Sequence, residues 1–161
     1  MTRISRRGAL GATVALCQIP ARSEARVAVD PAVEARTRQA IDTYARAWEQ
    51  GDIPALLASY HADLTLNWFG RNALAGRHVG KAASIQALGA MRQRTDRQLK
   101  AIQSTMVAGD QAVMVTRETL AAKGQVVEVE RLYLYTVANG QLRECWVYDQ
   151  DQRQLDDIIG P

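Results

Sequence analysis

The stretch Gln125-Val-Val-Glu-Val-Glu-Arg-Leu-Tyr-Leu-Tyr-Thr-Val-Ala-Asn-Gly-Gln-Leu-Arg-Glu-Cys-Trp-Val-Tyr-Asp149 decides the fold. It is two runs rich in β-branched and aromatic residues, joined by Asn139-Gly140. Asn-Gly favours a two-residue hairpin turn because both of its positions need positive φ. Working outward, residues 98–108, 111–121, 125–137 and 141–150 read as four long strands. Gly109-Asp110, Lys123-Gly124 and Asn139-Gly140 connect them.

Upstream the period changes from two to that of a helix. Asp30-Pro31 supplies an N-cap acceptor and a first-turn proline, and Val33, Thr37, Ile41, Tyr44 and Trp48 recur at helical spacing up to Gly51. Asp52 and Pro54 open a shorter helix carrying Leu56, Leu57 and Tyr60. Residues 64–69 alternate as a strand, 70–80 form a glycine-punctuated loop, and a third helix carries Ile85, Leu88 and Met91. Leu155–Ile159 closes the chain as a short amphipathic segment. Helices first and antiparallel strands afterwards predict an α+β fold, a curved and mainly antiparallel sheet packed on helices.

The turns also predict register. A two-residue turn at Asn139-Gly140 sets Tyr133 opposite Trp146, Arg131 opposite Tyr148 and Tyr135 opposite Glu144. A two-residue turn at Lys123-Gly124 sets Thr116 opposite Arg131 and Glu118 opposite Val129. One face then gathers Met114, Glu118, Arg131, Tyr133, Tyr135, Glu144, Trp146 and Tyr148, with Glu118 and Arg131 as diagonal neighbours. Tyr44 and Trp48, four apart on the first helix, project together over that face. Many aromatics with a few polar groups describe an apolar ligand pocket, with Trp68 contributing from the earlier strand. The alternatives for the same residues are a filled core and a structural ion pair.

The N-terminus gives an address. Arg6-Arg7, the weakly apolar run Gly8–Leu16 and the small-residue exit near Ala25 predict a twin-arginine signal peptide over residues 1–25, with the working domain at 26–161. A periplasmic or secreted location follows. Four of the 20 basic residues and one of the 17 acidic residues lie in the leader, so 16 of each remain and cancel. The basic balance therefore belongs to the leader, and a nucleic-acid partner is not expected. Nor is a stable membrane anchor, because the apolar run is far short of the roughly 20 residues needed to span a bilayer. Cys145 is the single cysteine after the leader, which excludes an internal disulfide. His61 and His78 have no ligand spacing around them, so neither a metal nor another cofactor is expected. Asp149 and Asp151 read as a solvated turn before the last helix, and Arg71 as a solvent-facing loop residue.

Three segments carry a resemblance: Tyr44-Ala-Arg-Ala-Trp-Glu-Gln-Gly-Asp52, the loop Gly70-Arg-Asn-Ala-Leu-Ala-Gly76 with Gly80 after it, and Asn139-Gly-Gln-Leu-Arg-Glu-Cys-Trp146 followed by Asp151-Gln152 and Asp156. Together they resemble the SnoaL-like branch of the nuclear transport factor 2-like superfamily over residues 33–160. The resemblance implies a cone-shaped α+β barrel with a pocket between helices and sheet, and a homodimer formed through the sheet's outer face. It also implies an oxyanion-stabilising role for Tyr44, as in ketosteroid isomerases. The other catalytic positions of the superfamily fall on residues unable to act: the isomerase acids on Trp68 and Leu132, the cyclase aspartate and histidine on Val147 and Tyr133. In the epoxide hydrolase pattern, Arg117 matches the arginine while Thr119 stands at one aspartate.

Two functional readings follow. The first is cofactor-free acid–base chemistry of the isomerase, cyclase or hydrolase kind on a small, largely apolar molecule. Glu118 or Glu144 would be the base, its pKa raised by burial, with Tyr44 and Arg131 stabilising oxyanion charge. The second is a non-catalytic ligand-binding or dimeric interaction module using the same pocket.

Overall fold

The computed structural model describes residues 30–161. Its elements run α1 (Pro31–Gln50), α2 (Ile53–Ala58), β1 (Tyr60–Trp68), β2 (Gly76–Val79), α3 (Lys81–Thr95), β3 (Gln98–Ala108), β4 (Gln111–Ala122), β5 (Gln125–Ala138), β6 (Gln141–Asp149) and α4 (Gln152–Ile159). The six strands form one curved, open sheet in the order β2-β1-β6-β5-β4-β3. Every pairing is antiparallel except β1 with β6. The expected α+β architecture holds, with helices packed against a sheet that stays unclosed.

Local chemistry accounts for the boundaries. The Asp30 side chain accepts from Ala32 N–H at the start of α1, and Gly51 at φ 66 ends it. Asp52 and Asp151 cap α2 and α4 in the same way. Two expectations shift here. Tyr60 begins β1 instead of riding on α2, because α2 stops at Ala58. The 70–80 loop contains the short strand β2, paired to the end of β1. A glycine is required at position 70, where φ is 118 and any Cβ would overlap the side chains of Asp156 and Gln152. Asp156 fastens α4 to this loop through Arg71 N–H and Asn72 Nδ2.

The β4–β5 register is as predicted: Thr116 faces Arg131 and Glu118 faces Val129. The β5–β6 register is not. Ala138 pairs with Gln141 as expected, but a bulge at Arg143 lets Thr136 face Glu144 and Val137 face Leu142. Beyond it Tyr135 faces Cys145, Tyr133 faces Val147 and Arg131 faces Asp149. One extra residue exchanges the faces of everything that follows, so Glu144, Trp146 and Tyr148 leave the inner face. Cys145, Val147 and Asp149 take their places.

Candidate functional site

Two adjoining recesses lie between the helices and the inner face of the sheet. The inner pocket, about 140 Å³, is bounded by Tyr44 and Trp48 of α1, Leu56 of α2, Tyr60, Leu64 and Leu66 of β1, Leu88 of α3, Tyr133 and Tyr135 of β5, Cys145 of β6, and Arg97. The outer recess, about 590 Å³, shares Trp48, Leu56, Leu88 and Arg97 with it and opens past Glu49, Ile53, Arg92 and Lys100. Those four shared residues form the threshold between the two.

The inner walls are aromatic and aliphatic. Tyr44 packs edge-on to Tyr135 at 5.5 Å, and Trp48 lies edge-on to Tyr133 at 5.6 Å. The hydroxyls of Tyr44 and Tyr60 sit 3.1 Å apart and hydrogen-bond to each other. Burial pushes the Tyr44 phenol up to about 12, and those of Tyr60, Tyr133 and Tyr135 well above the usual range. All four are therefore neutral donors at neutral pH. Burial likewise pushes the Cys145 thiol up to about 12, so it is no nucleophile.

Behind the threshold lies a buried charge network. Left-handed Asp96 (φ 39) ends α3, and Arg97 follows with its guanidinium 4.8 Å from the centre of the Trp48 ring. Arg97 Nε and Nη2 donate to Glu118 at 2.5 and 2.9 Å, and Nη2 also donates to the Tyr133 hydroxyl at 2.7 Å. Glu118 further accepts from Tyr133 at 2.7 Å and Thr116 at 2.8 Å, and pairs with Arg131 at 3.5 Å. Arg131 Nε and Nη2 donate to Asp149 across the β5–β6 pair. The Arg131 guanidinium lies 5.1 Å from the centre of the Trp68 ring. Two formal cations thus meet two carboxylates within the core.

This arrangement reverses one expectation. Burial by itself would raise the Glu118 carboxyl, but the Arg97 charge and hydrogen bonds, with Arg131 and Tyr133, hold it down at about 2. Glu118 is an ionised anchor whose oxygens are already occupied, a poor proton acceptor at neutral pH.

Of the predicted site residues, Tyr44, Trp48, Tyr133 and Tyr135 line the pocket. Glu118 and Arg131 stand directly behind it, paired as the diagonal register required. Met114 and Trp68 face inward but are packed in the core. Glu144, Trp146 and Tyr148 belong to the outer face. There Asn67 donates to Glu144 at 3.0 Å, and Phe69 packs on Trp146 and Tyr148 at 5.6 and 5.1 Å. Asp149 is an ion-pair partner with a 2 % exposed side chain, not a solvated turn residue. Arg97, Tyr60 and Cys145 were not anticipated. Tyr60 was hidden by its assignment to a helix, and Arg97 by its place at a helix exit, where arginine ordinarily faces solvent. The twin-arginine leader lies outside the described residues.

Comparison with known proteins agrees with this fold. The SnoaL-like domain model matches residues 41–145. No curated protein matches the chain. Similar folds include a Xanthomonas campestris protein of unknown function with a cystatin-like fold (TM-score 0.72, 22% identity, covering 78% of this chain and 98% of that one). A nuclear transport factor 2-like protein from Burkholderia xenovorans LB400 is similar at TM-score 0.66 and 21% identity, covering 79% of this chain and 98% of its own. TerC, co-crystallised with polyporic acid, gives TM-score 0.66 and 17% identity, covering 77% and 98%.

Proposed function

The chain belongs to the SnoaL-like domain family, and from that premise we propose that it binds a small, largely apolar ring compound in the inner pocket. The observation that carries this reading is the pairing of aromatic walls with an inward hydroxyl pair, Tyr44 and Tyr60, at 3.1 Å. A space of about 140 Å³ suits one six-membered ring, since an apolar cavity of roughly 150 Å³ accepts benzene. The tyrosines would give a hydrogen bond to an oxygen substituent, and the remainder of the ligand would extend into the outer recess. The structural neighbour TerC was co-crystallised with polyporic acid, which is in keeping with a small-molecule ligand here.

Binding is favoured over turnover because, among the described residues, the inner pocket is lined by no free carboxylate: Glu118 is committed, Glu144 faces away and Glu49 lines only the outer recess. Cofactor-free chemistry of the isomerase or cyclase kind remains the second reading, favoured by the same hydroxyl pair, whose donors suit an enol or oxyanion. In that case the base is solvent or the ligand's own group, not Glu118.

Trp48 borders the pocket, so tryptophan fluorescence reports on filling. Titration with phenol, cyclohexanone or 2-naphthol is expected to saturate, and Leu66→Trp, which fills the space, is expected to abolish the response. No saturable response to any ring compound, or an undiminished one in the filled variant, would sink the proposal.

We further propose that the chain is exported, losing residues 1–25, and that two copies pair through the outer sheet face. Support for pairing is the outer stack of Phe69, Trp146 and Tyr148, with Phe69 and Tyr148 each 42% exposed. Sedimentation of the mature protein is expected to give a dimer that Tyr148→Asp dissociates. Recovery of the protein uncleaved in the cytoplasm would refute export.

A further inference from the structure

The outer recess has a charge character that the overall balance of the domain does not share. Beyond the leader the chain carries 16 basic and 16 acidic residues, yet the recess is lined by Arg92, Arg97 and Lys100 against the single carboxylate Glu49. Arg97 is the built part of this surface. Its Nε and Nη2 are committed to Glu118 and Tyr133, which fixes the plane of the guanidinium, and its Cζ lies 4.8 Å from the centre of the Trp48 ring. Nη1 has no hydrogen-bond partner among the described residues, and Arg97 lines both the inner pocket and the recess. The core charges behind it balance, Arg131 with Asp149 and Arg97 with Glu118. With Arg92 and Lys100 set against Glu49, one positive charge is left over on the recess side.

We propose that the ligand is an anion, a ring-sized carboxylic acid with its ring in the inner pocket and its carboxylate on Arg97 Nη1 within the field of Arg92 and Lys100. This rests on the binding reading above and specifies the class of compound for the same site. An oriented arginine donor meeting a carboxylate makes a charge-assisted hydrogen bond, about twice as strong as a neutral one. A preorganised guanidinium loses little freedom in making it. At the other end of the pocket, the Tyr44–Tyr60 pair accommodates a hydroxyl or keto oxygen on the ring. The substrate class is thus a hydroxylated or oxidised ring acid in preference to a neutral terpene-like or hydrocarbon ligand.

The test uses matched pairs: benzoate, phenylacetate and cyclohexanecarboxylate, each against its own primary amide, titrated into the mature protein and read by calorimetry. Each acid is expected to bind at least about tenfold tighter than its amide at low salt. The margin is expected to shrink in about 1 M salt, where the screening length falls to roughly 3 Å. The double variant R92Q/K100Q, which leaves the Arg97–Glu118 anchor in place, is expected to narrow it while Arg97 Nη1 retains the rest, and an undiminished margin would overturn the role given to Arg92 and Lys100. Equal affinities, or a tighter amide, would overturn this inference while leaving the ring-binding proposal standing. Failure of every acid and every amide to bind would overturn both.

Discussion

Replacing Glu118 by glutamine removes one charge with little change of shape and tests what the buried network contributes. Glu118 is fully buried and accepts from Arg97, Tyr133 and Thr116 while pairing with Arg131. The amide cannot accept all of these donors, and its own NH₂ faces the guanidinium groups. Removing one partner of a buried ion network costs about 3–5 kcal/mol, because the opposite charges stay buried without compensation. The pKa gives a similar figure by a separate route. A fall from 4.5 to about 2 corresponds to roughly 3 kcal/mol of native-state preference for the carboxylate. The folded value lies below the unfolded one, so this stability is fully present above about pH 4.5 and drains away as pH falls toward 2. Urea unfolding followed by tryptophan fluorescence measures both effects. At pH 7, Glu118→Gln is expected to lose about 3–5 kcal/mol, with a melting temperature lower by on the order of 10–20 °C. Between pH 5 and 2 the wild-type protein is expected to lose stability much more steeply than the variant. A variant within about 1 kcal/mol of wild type, or with the same acid slope, would refute the reasoning.

Other consequences can be read with the same assay. Tyr44→Phe or Tyr60→Phe alone leaves the other hydroxyl buried with a lost partner and is expected to cost about 1–3 kcal/mol, whereas the double change costs less than the two together. Strict additivity would contradict a shared hydrogen bond. Gly70→Ala is expected to cost about 3 kcal/mol, from strained φ and from displacing Asp156 and Gln152; a loss under about 0.5 kcal/mol would place the loop elsewhere. The Cys145 thiol, pushed up to about 12 by burial, is expected to react with a thiol reagent at neutral pH far more slowly than a free thiol. Labelling of the native protein at the rate of a free thiol would contradict that suppression.

The sequence made most of the sheet legible, because turn chemistry is local. Lys123-Gly124 and Asn139-Gly140 both adopt positive φ, and the β4–β5 register followed from the first turn without error. The Glu118–Arg131 pair was readable for the same reason. Register failed across β5–β6 because a bulge is set by packing, not by the turn. Leu142, Cys145 and Val147 all face the core, so apolar positions recur at a spacing of three and then two. That broken alternation was the available signal, and it would have kept Trp146 and Tyr148 out of the site. Arg97 goes unread and Asp149 is read as a solvated turn for a different reason: each is a charged residue beside an element end, where solvent is the usual partner. Burial of both depends on contacts far away in sequence, Arg97 with Glu118 and Asp149 with Arg131.

The central claim is that the space beside Tyr44, Tyr60 and Arg97 takes a ring compound. A crystal structure of the protein soaked with phenol tests it most directly. The account predicts the ring against Tyr44, Tyr133 and Tyr135, with its oxygen within about 3 Å of the Tyr44 or Tyr60 hydroxyl. A pocket closed by its own side chains, or phenol bound only at the outer face beside Trp146, would contradict it.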